Sequence, residues 1–276
     1  MARSAPAMAE ADDGDVDDLK AANARELHQT VREEGESELR RPFAALFWSG
    51  LAAGLAINAS LIAEAALHRD LPDAPWRHLV VALGYPMGFL IVILGRMQLF
   101  TESTVTAMLP LVTRPSRWAA TRTLRLWTIV LGANLVGTMI AAALIALGVL
   151  GDDALRTAAL EVSQRILELD AWGTFLNAIP AGFLIAVMAW MLPNAREQAF
   201  WVILSVTYVV AVAGFSHSVV GSDEAFLLLF TGRTGIVQTV FSLIAPAVLG
   251  NLVGGAGMFA VLAHAQVRSD ADHGEG

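Results

Sequence analysis

The chain has 276 residues, 55% of them hydrophobic and 16% charged, with a mean hydropathy of +0.56 and a formal net charge of −8. A water-soluble domain of this length carries about 25% charged residues, so the composition points to an integral membrane protein and gives no footing for nucleic acid. There is no cysteine, which removes disulfides and thiolate metal sites.

In chain order, residues 1–18 (MARSAPAMAEADDGDVDD) are acidic and poor in large apolar side chains. They are expected to be disordered, and they lack the apolar core of a cleavable signal peptide. Residues 19–41 suit a charged helix, cytoplasmic or lying at the membrane interface. Apolar runs of about 18 or more residues mark membrane-spanning helices. They are predicted at 43–66, 79–111, 118–149, 172–192, 198–230 and 237–265, within a channel domain covering 42–268. A flexible C-terminus at 269–276 completes the chain.

Six crossings put both termini on one side, and the arginines decide which. Arg25, Arg32, Arg40 and Arg41, the cluster Arg114, Arg117, Arg122 and Arg125, and Arg196 and Arg268 share a side. The other side has fewer, mixed with Asp152, Asp153, Glu161, Glu168 and Asp170. The positive-inside rule therefore predicts cytoplasmic termini.

The second and fifth spans are too long for one crossing, and each is interrupted, by GRMQLFTEST (95–104) and GFSHSVVGSDE (214–224). They occupy equivalent places in two halves that share further short matches. GANLVGT (132–138) pairs with GNLVGG (250–255), and AAGLAI (52–57) with PAGFLI (180–185). Three spans per half means that the second copy is inserted upside down. The predicted fold is all-α, six transmembrane helices as two inverted three-helix repeats, with broken second and fifth helices. Broken helices at matching positions of inverted repeats point to a solute path near the midplane.

Irregular backbone at membrane depth persists only where it is buried in protein or lines a wet cavity. The half-helix that follows each break turns a partial positive charge toward the centre. His217 lies in the second break, and an imidazole, titrating near about pH 6.5 when unperturbed, exchanges protons in the neutral range. Ser216 and Ser218 are expected to orient its ring. Leu99 and Phe100 are candidate apolar constrictions, and Thr101 offers a hydroxyl to the solute or to freed backbone. Arg96 and Glu102 flank the first break as a candidate intramembrane pair. Asp223 and Glu224 are expected to cap the half-helix after the second break. Asn134 and Asn251 are expected to hold the loops. No nucleophile–base pair or metal-ligand cluster is legible, so neither an enzyme, a cofactor nor a metal is expected.

Leu-Phe-Thr at 99–101, Asn-Leu-Val-Gly at 134–137, Ala-Trp-Met at 189–191, Phe-Ser-His-Ser at 215–218 and Gly-Asn-Leu-Val-Gly at 250–254 together resemble the formate/nitrite transporter family. The resemblance runs from about Phe43 to Arg268. It is nearest, through QLFTESTVTA (98–107), to a less characterised branch of bacterial inner-membrane members. It implies an aquaporin-like protomer of six spans, assembled as a homopentamer in the lipid bilayer with one pore per subunit, passing small monovalent anions such as formate or nitrite, often with a proton. It implies that His217 is the central histidine, that Leu99, Phe100 and Thr101 form the first-break motif, and that Tyr85 and Val210 stand at a constriction. The family lysine before the fourth span falls near Gln164–Ile166, where this chain has Arg165, and Lys20 is its only lysine. Arg96 is the candidate substitute for the missing positive potential. Two other readings fit parts of the pattern: an aquaporin-like neutral-solute channel, although no Asn-Pro-Ala occurs, and a non-transporting membrane scaffold or sensor.

Overall fold

The computed structural model describes residues 24–273, so the expected disordered segment 1–18 lies outside the described residues. Every regular element among the described residues is helical.

Helix α1 (Ala24–Arg40) carries Leu27, Val31, Gly35 and Leu39 at four-residue spacing, a single stripe that the fold buries. It packs on α6 (Phe100–Thr113), introduced below, and on the end of the last helix. The reason is local. Pro110 inside α6 has no N–H for the Thr106 carbonyl one turn back. Gly35 lies over that freed oxygen so closely that a Cβ would overlap it. Residues 24–40 of the charged helix expected at 19–41, cytoplasmic or interfacial, are thus docked on the bundle with Val31 and Leu39 fully buried, and residues 19–23 lie outside the described residues.

The first predicted span is two helices, α2 (Phe43–Ala56) and α3 (Ala59–Asp70), joined at Ile57–Asn58. The second is α4 (Arg77–Val81), α5 (Pro86–Leu94) and α6, with its break between Leu94 and Phe100. Helix α7 (Arg117–Ala146) starts on a Ser116 cap that accepts the Ala119 N–H. At ~1.5 Å per residue its 30 residues reach ~45 Å, longer than the ~30 Å hydrocarbon core.

Helix α8 (Asp153–Ser163), in the stretch between the third and fourth predicted spans, is capped by Asp152. It packs Ala158, Ala159 and Val162 against Leu61 and Ala65 of α3. Helix α9 (Ala171–Met191) starts on an Asp170 cap. The fifth predicted span is α10 (Ala199–Val212) and α11 (Ser218–Phe230), of 14 and 13 residues, each ~20 Å and too short to cross alone.

The last helical run, α12, comprises Ile236–Gln238, Thr239–Ile244, Ala245–Leu252, Val253–Phe259 and Ala260–His273. The run is helical as far as His273, and residues 274–276 of the expected flexible C-terminus lie outside the described residues. Thr239–Ile244 and Val253–Phe259 are wide π turns. The first ends two residues before Pro246, whose ring crowds the carbonyl of Ser242 four residues back, and the second holds Gly254, Gly255 and Gly257.

Helix α2 packs on α7, α9 on α12, and α11 on α7. Among the described residues, five helical runs are long and apolar enough to span a membrane: Phe43–Asp70, Arg77–Leu94, Arg117–Ala146, Ala171–Asn194 and Ile236–Arg268. The bundle's outer surface exposes Trp48, Leu124, Trp201 and Phe241, the apolar exterior that lipid requires. The chain is an all-helical, multi-pass membrane protein.

Candidate functional site: two broken helices meeting at a histidine

The two breaks are built alike. Helix α5 ends with Arg96 N–H donating to Ile93 O and Met97 N–H to Val92 O; α10 ends with Gly214 N–H to Ala211 O and Phe215 N–H to Val210 O. This pattern needs a left-handed residue just past the helix. Gly214 supplies it at φ 65°, but its counterpart is Arg96 at φ 54°, the only non-glycine with positive φ among the described residues. After each turn the chain runs extended through Leu99 (φ −106°, ψ 129°) and His217 (φ −113°, ψ 133°) and re-enters helix.

One asparagine holds each loop. Asn134 Oδ1 accepts Phe100 N–H at 2.9 Å, while its Nδ2 donates to Gly50 O at 2.8 Å and Gln98 O at 2.9 Å. Asn251 repeats this: Oδ1 accepts Ser218 N–H at 2.8 Å, and Nδ2 donates to Ala178 O at 2.7 Å and Ser216 O at 3.1 Å. Each fully buried amide satisfies backbone groups that unwinding would strand.

His217 lies between the half-helices, 2% exposed. Its Nε2 is 2.9 Å from Thr101 Oγ1, on the opposite break, and its Nδ1 accepts Val220 N–H at 3.3 Å. The ring is therefore the N-cap of α11, and the network assigns its proton to Nε2, facing Thr101. Phe89 packs edge-on at 5.1 Å.

Ser216 and Ser218 do not orient the ring as expected. Ser216 Oγ accepts from Asn177 Nδ2 at 3.2 Å, and Ser218 Oγ is buried without a partner. Asp223 and Glu224 do not cap α11 either, because they lie beyond its first turn and His217 occupies the cap. Asp223 Oδ2 instead accepts Asn58 Nδ2 at 2.6 Å, across the bundle at the α2–α3 joint.

A cavity opens on each side of this centre. The larger, about 690 Å³, lies on the α1 side and reaches Leu99. Its ionisable wall is balanced: Glu34, Glu38 and Glu102 against Arg41, Arg96 and Arg196. Arg96 and Glu102 share this wall but form no ion pair with one another. Gln98 Nε2 donates to Glu38 at 2.9 Å, which ties α1 to the first break. The smaller cavity, about 130 Å³, reaches His217 and is walled by Tyr85, Val210, Asn177, Arg165, Glu64 and Glu224 among others. Phe100 and Thr101, at 2% and 0% exposure, line neither cavity and lie buried between them.

Tyr85, Val210, Arg165 and His217 are thus brought to one cavity, and Leu99, Arg96 and Glu102 to the other. Sequence reading missed Asn177, Thr174 and above all Glu64. A lone carboxylate inside the apolar run LIAEAAL (61–67) was the available signal for Glu64. No group of three or more His, Asp or Glu side chains suited to a metal occurs among the described residues.

Comparison with known proteins agrees with this construction. The chain is 38% identical over 254 residues to the inner membrane protein YfdC of Escherichia coli (strain K12), covering 92% of this chain and 82% of the relative. It is 28% identical over 257 residues to the formate channel FocA of Haemophilus influenzae (strain ATCC 51907 / DSM 11121 / KW20 / Rd), covering 79% and 84%. Among solved structures, a pentameric formate channel with formate bound superposes with a TM-score of 0.69 at 19% identity, over 82% of this chain and 97% of that one. An ion channel described as of the FNT family gives 0.71 at 20% identity, over 87% and 98%. The family model described as formate/nitrite transporter matches residues 25–265, and the chain belongs to that family.

Proposed function

We propose that the chain conducts small monovalent weak-acid anions, of the formate or nitrite class, across the membrane, and that a proton moves with them through His217. The observation that carries this reading is the Thr101–His217 contact, buried between two cavities that open from opposite sides. An anion entering so dry a constriction sheds water at a cost of several kcal/mol, and neutralising it removes most of that cost. The Nε2 proton faces the path, and Thr101 Oγ1 relays it. A formate channel among the relatives supports the substrate class.

The matched hydrogen-bond patterns at Asn134 and Asn251 support two inverted three-helix halves, with six crossings once α10 and α11 are counted together. The apolar exterior and the pentameric assembly of a structural neighbour support a homopentamer in the lipid bilayer. The inner-membrane relative and the arginine distribution support a bacterial inner membrane location with both termini cytoplasmic.

The test is formate and nitrite flux into proteoliposomes at external pH 5 to 8, for the parent and His217→Ala. Parent flux that rises with acidity and changes its pH dependence in the variant is expected. A folded parent that passes neither anion overturns the conduction reading; parent flux with a pH profile untouched by His217→Ala removes the histidine from it. Water or glycerol flux in place of anion flux would return the aquaporin-like reading.

A further inference from the structure

Helix α7 opens as RWAATRTLRL, and beyond Arg125 it carries no further charge. Residues 126–146 are uncharged and, at ~1.5 Å per residue, cover ~30 Å, the thickness of the hydrocarbon core. The first turns of α7 therefore stand at the level of the lipid headgroups, beside the end of α1. Arg125 Nη1 donates to Arg41 O at 3.1 Å and joins the two.

The protein does not neutralise the positive charge at this corner. Arg40, Arg114, Arg117 and Arg122 have no carboxylate partner among the described residues. The nearby carboxylates of α1 are engaged elsewhere: Glu33 accepts from Gln29, Glu36 faces Arg32 at 4.0 Å, and Glu38 pairs with Arg41 at 3.1 Å. Beyond the far end of the Phe43–Asp70 run the pattern differs, because Arg69, Arg77 and Arg156 pair with Asp70, Asp73 and Asp153.

At the centre of the corner Arg40 lies over the Trp118 ring, its guanidinium carbon 6.0 Å from the ring centre. Stacking on an indole leaves the in-plane N–H donors of a guanidinium available to a phosphate. Arg122 follows Trp118 by one turn on the same face of α7. Three residues after Arg40 the surface turns apolar: Phe43 is 58% exposed, and Phe47, one turn deeper into the bilayer, stacks on it at 5.7 Å. Unpaired guanidinium groups above an exposed aromatic surface complement a phospholipid that carries negative charge.

We propose that Arg40 and Arg122, set around Trp118, form a binding site for an anionic phospholipid of the surrounding bilayer. The lipid phosphate accepts from the two guanidinium groups, and an acyl chain lies along Phe43 and Phe47. Free phosphate gains only the first of these contacts. The site is independent of which solute the protein conducts and of which leaflet the arginines face.

The test is native mass spectrometry of the full-length protein in dodecyl maltoside, with phosphatidylglycerol and phosphatidylcholine of matched acyl chains added in equal amounts. One arginine near an anionic headgroup is worth about fivefold in affinity. The parent is expected to retain phosphatidylglycerol about tenfold or more over phosphatidylcholine. The double variant Arg40→Gln, Arg122→Gln is expected to lose that preference, and Arg69→Gln to keep it. No preference in the parent, or an undiminished preference in the folded double variant, overturns the proposal. So does an equal loss in Arg69→Gln, which would make the effect one of net charge alone. Glycerol phosphate retained as strongly as phosphatidylglycerol would reveal a phosphate site without lipid, and that also overturns it. If the double variant misfolds, the parent decides: its retention of phosphatidylglycerol should fall several-fold as ammonium acetate rises from about 0.05 to about 0.5 M, and retention untouched by salt overturns the proposal.

Discussion

Thr101 Oγ1 and His217 Nε2 stand 2.9 Å apart although 116 residues separate them in sequence, so each half of the chain supplies one partner of its central polar contact. Because Nδ1 is engaged as the cap of α11, the ring has one nitrogen for structure and one facing Thr101. A proton placed on Nδ1 would turn that acceptor into a donor and break the cap.

This division gives the first prediction. Thr101→Val leaves the buried Nε2–H without a partner, a loss of about 1–3 kcal/mol. Formate flux is expected to fall about tenfold or more, whereas Thr101→Ser retains the hydroxyl and most of the flux. Proteoliposome flux with a melting curve on the same preparations checks it; equal loss in both variants would mean that the methyl group, not the hydroxyl, matters.

The asparagines give a graded stability prediction. Asn134→Ala and Asn251→Ala each strand one backbone N–H and two carbonyls, with an expected cost of about 2–4 kcal/mol. Asn134→Asp keeps the acceptor for Phe100 N–H but forfeits both donated bonds, so it falls between the parent and Asn134→Ala only if the acceptor dominates. Thermal unfolding in detergent ranks the variants.

Arg96 holds a left-handed conformation that its counterpart Gly214 adopts freely. Arg96→Gly is expected to relieve strain of about 1 kcal/mol and raise the melting temperature by about 2–4 °C. If Arg96 supplies positive potential to the larger cavity, the same variant loses anion flux while gaining stability. Stability and flux rising or falling together would show that the arginine serves the turn alone.

Docking of α1 is expected to depend on pH. His28 of α1 is buried with its Nε2 3.3 Å from His264 Nδ1 and its ring edge-on to Trp190 at 6.0 Å. Burial, then the neighbouring His264 and Arg32, push its pKa below the usual 6.5. The undocked helix therefore binds the proton more readily, and the docked state loses stability as pH falls through about 6.5 toward the docked value. Backbone hydrogen exchange across 24–40, corrected for intrinsic rates, should speed up between pH 8 and 5.5 in the parent. His28→Gln should flatten that change; an unchanged slope would place the pH sensitivity elsewhere.

Much of the architecture follows from local pattern. The apolar runs, the two breaks and the paired Asn-Leu-Val-Gly segments are sequence features, because membrane helices need continuous apolarity and an unwound segment needs residues that tolerate it. Ser116, Asp152 and Asp170 mark helix starts for the same local reason. Helix α8 was legible too, in Asp152 followed by Leu155, Ala158, Ala159 and Val162 at helical spacing, but stronger apolar runs on either side obscured it.

What each buried polar group meets was decided only by tertiary packing. Asp223 and Glu224 look alike as neighbours on α11, yet their side chains point about 100° apart around the helix. One reaches Asn58, 165 residues away, while the other faces the cavity of Arg165 and Glu64. The same holds for His217, whose flanking serines were nearest in sequence but whose ring is held by Thr101 and a backbone N–H. Sequence alone determined that this chain crosses a membrane with two broken helices; helix rotation and register decided which of its polar side chains face each other where the breaks meet.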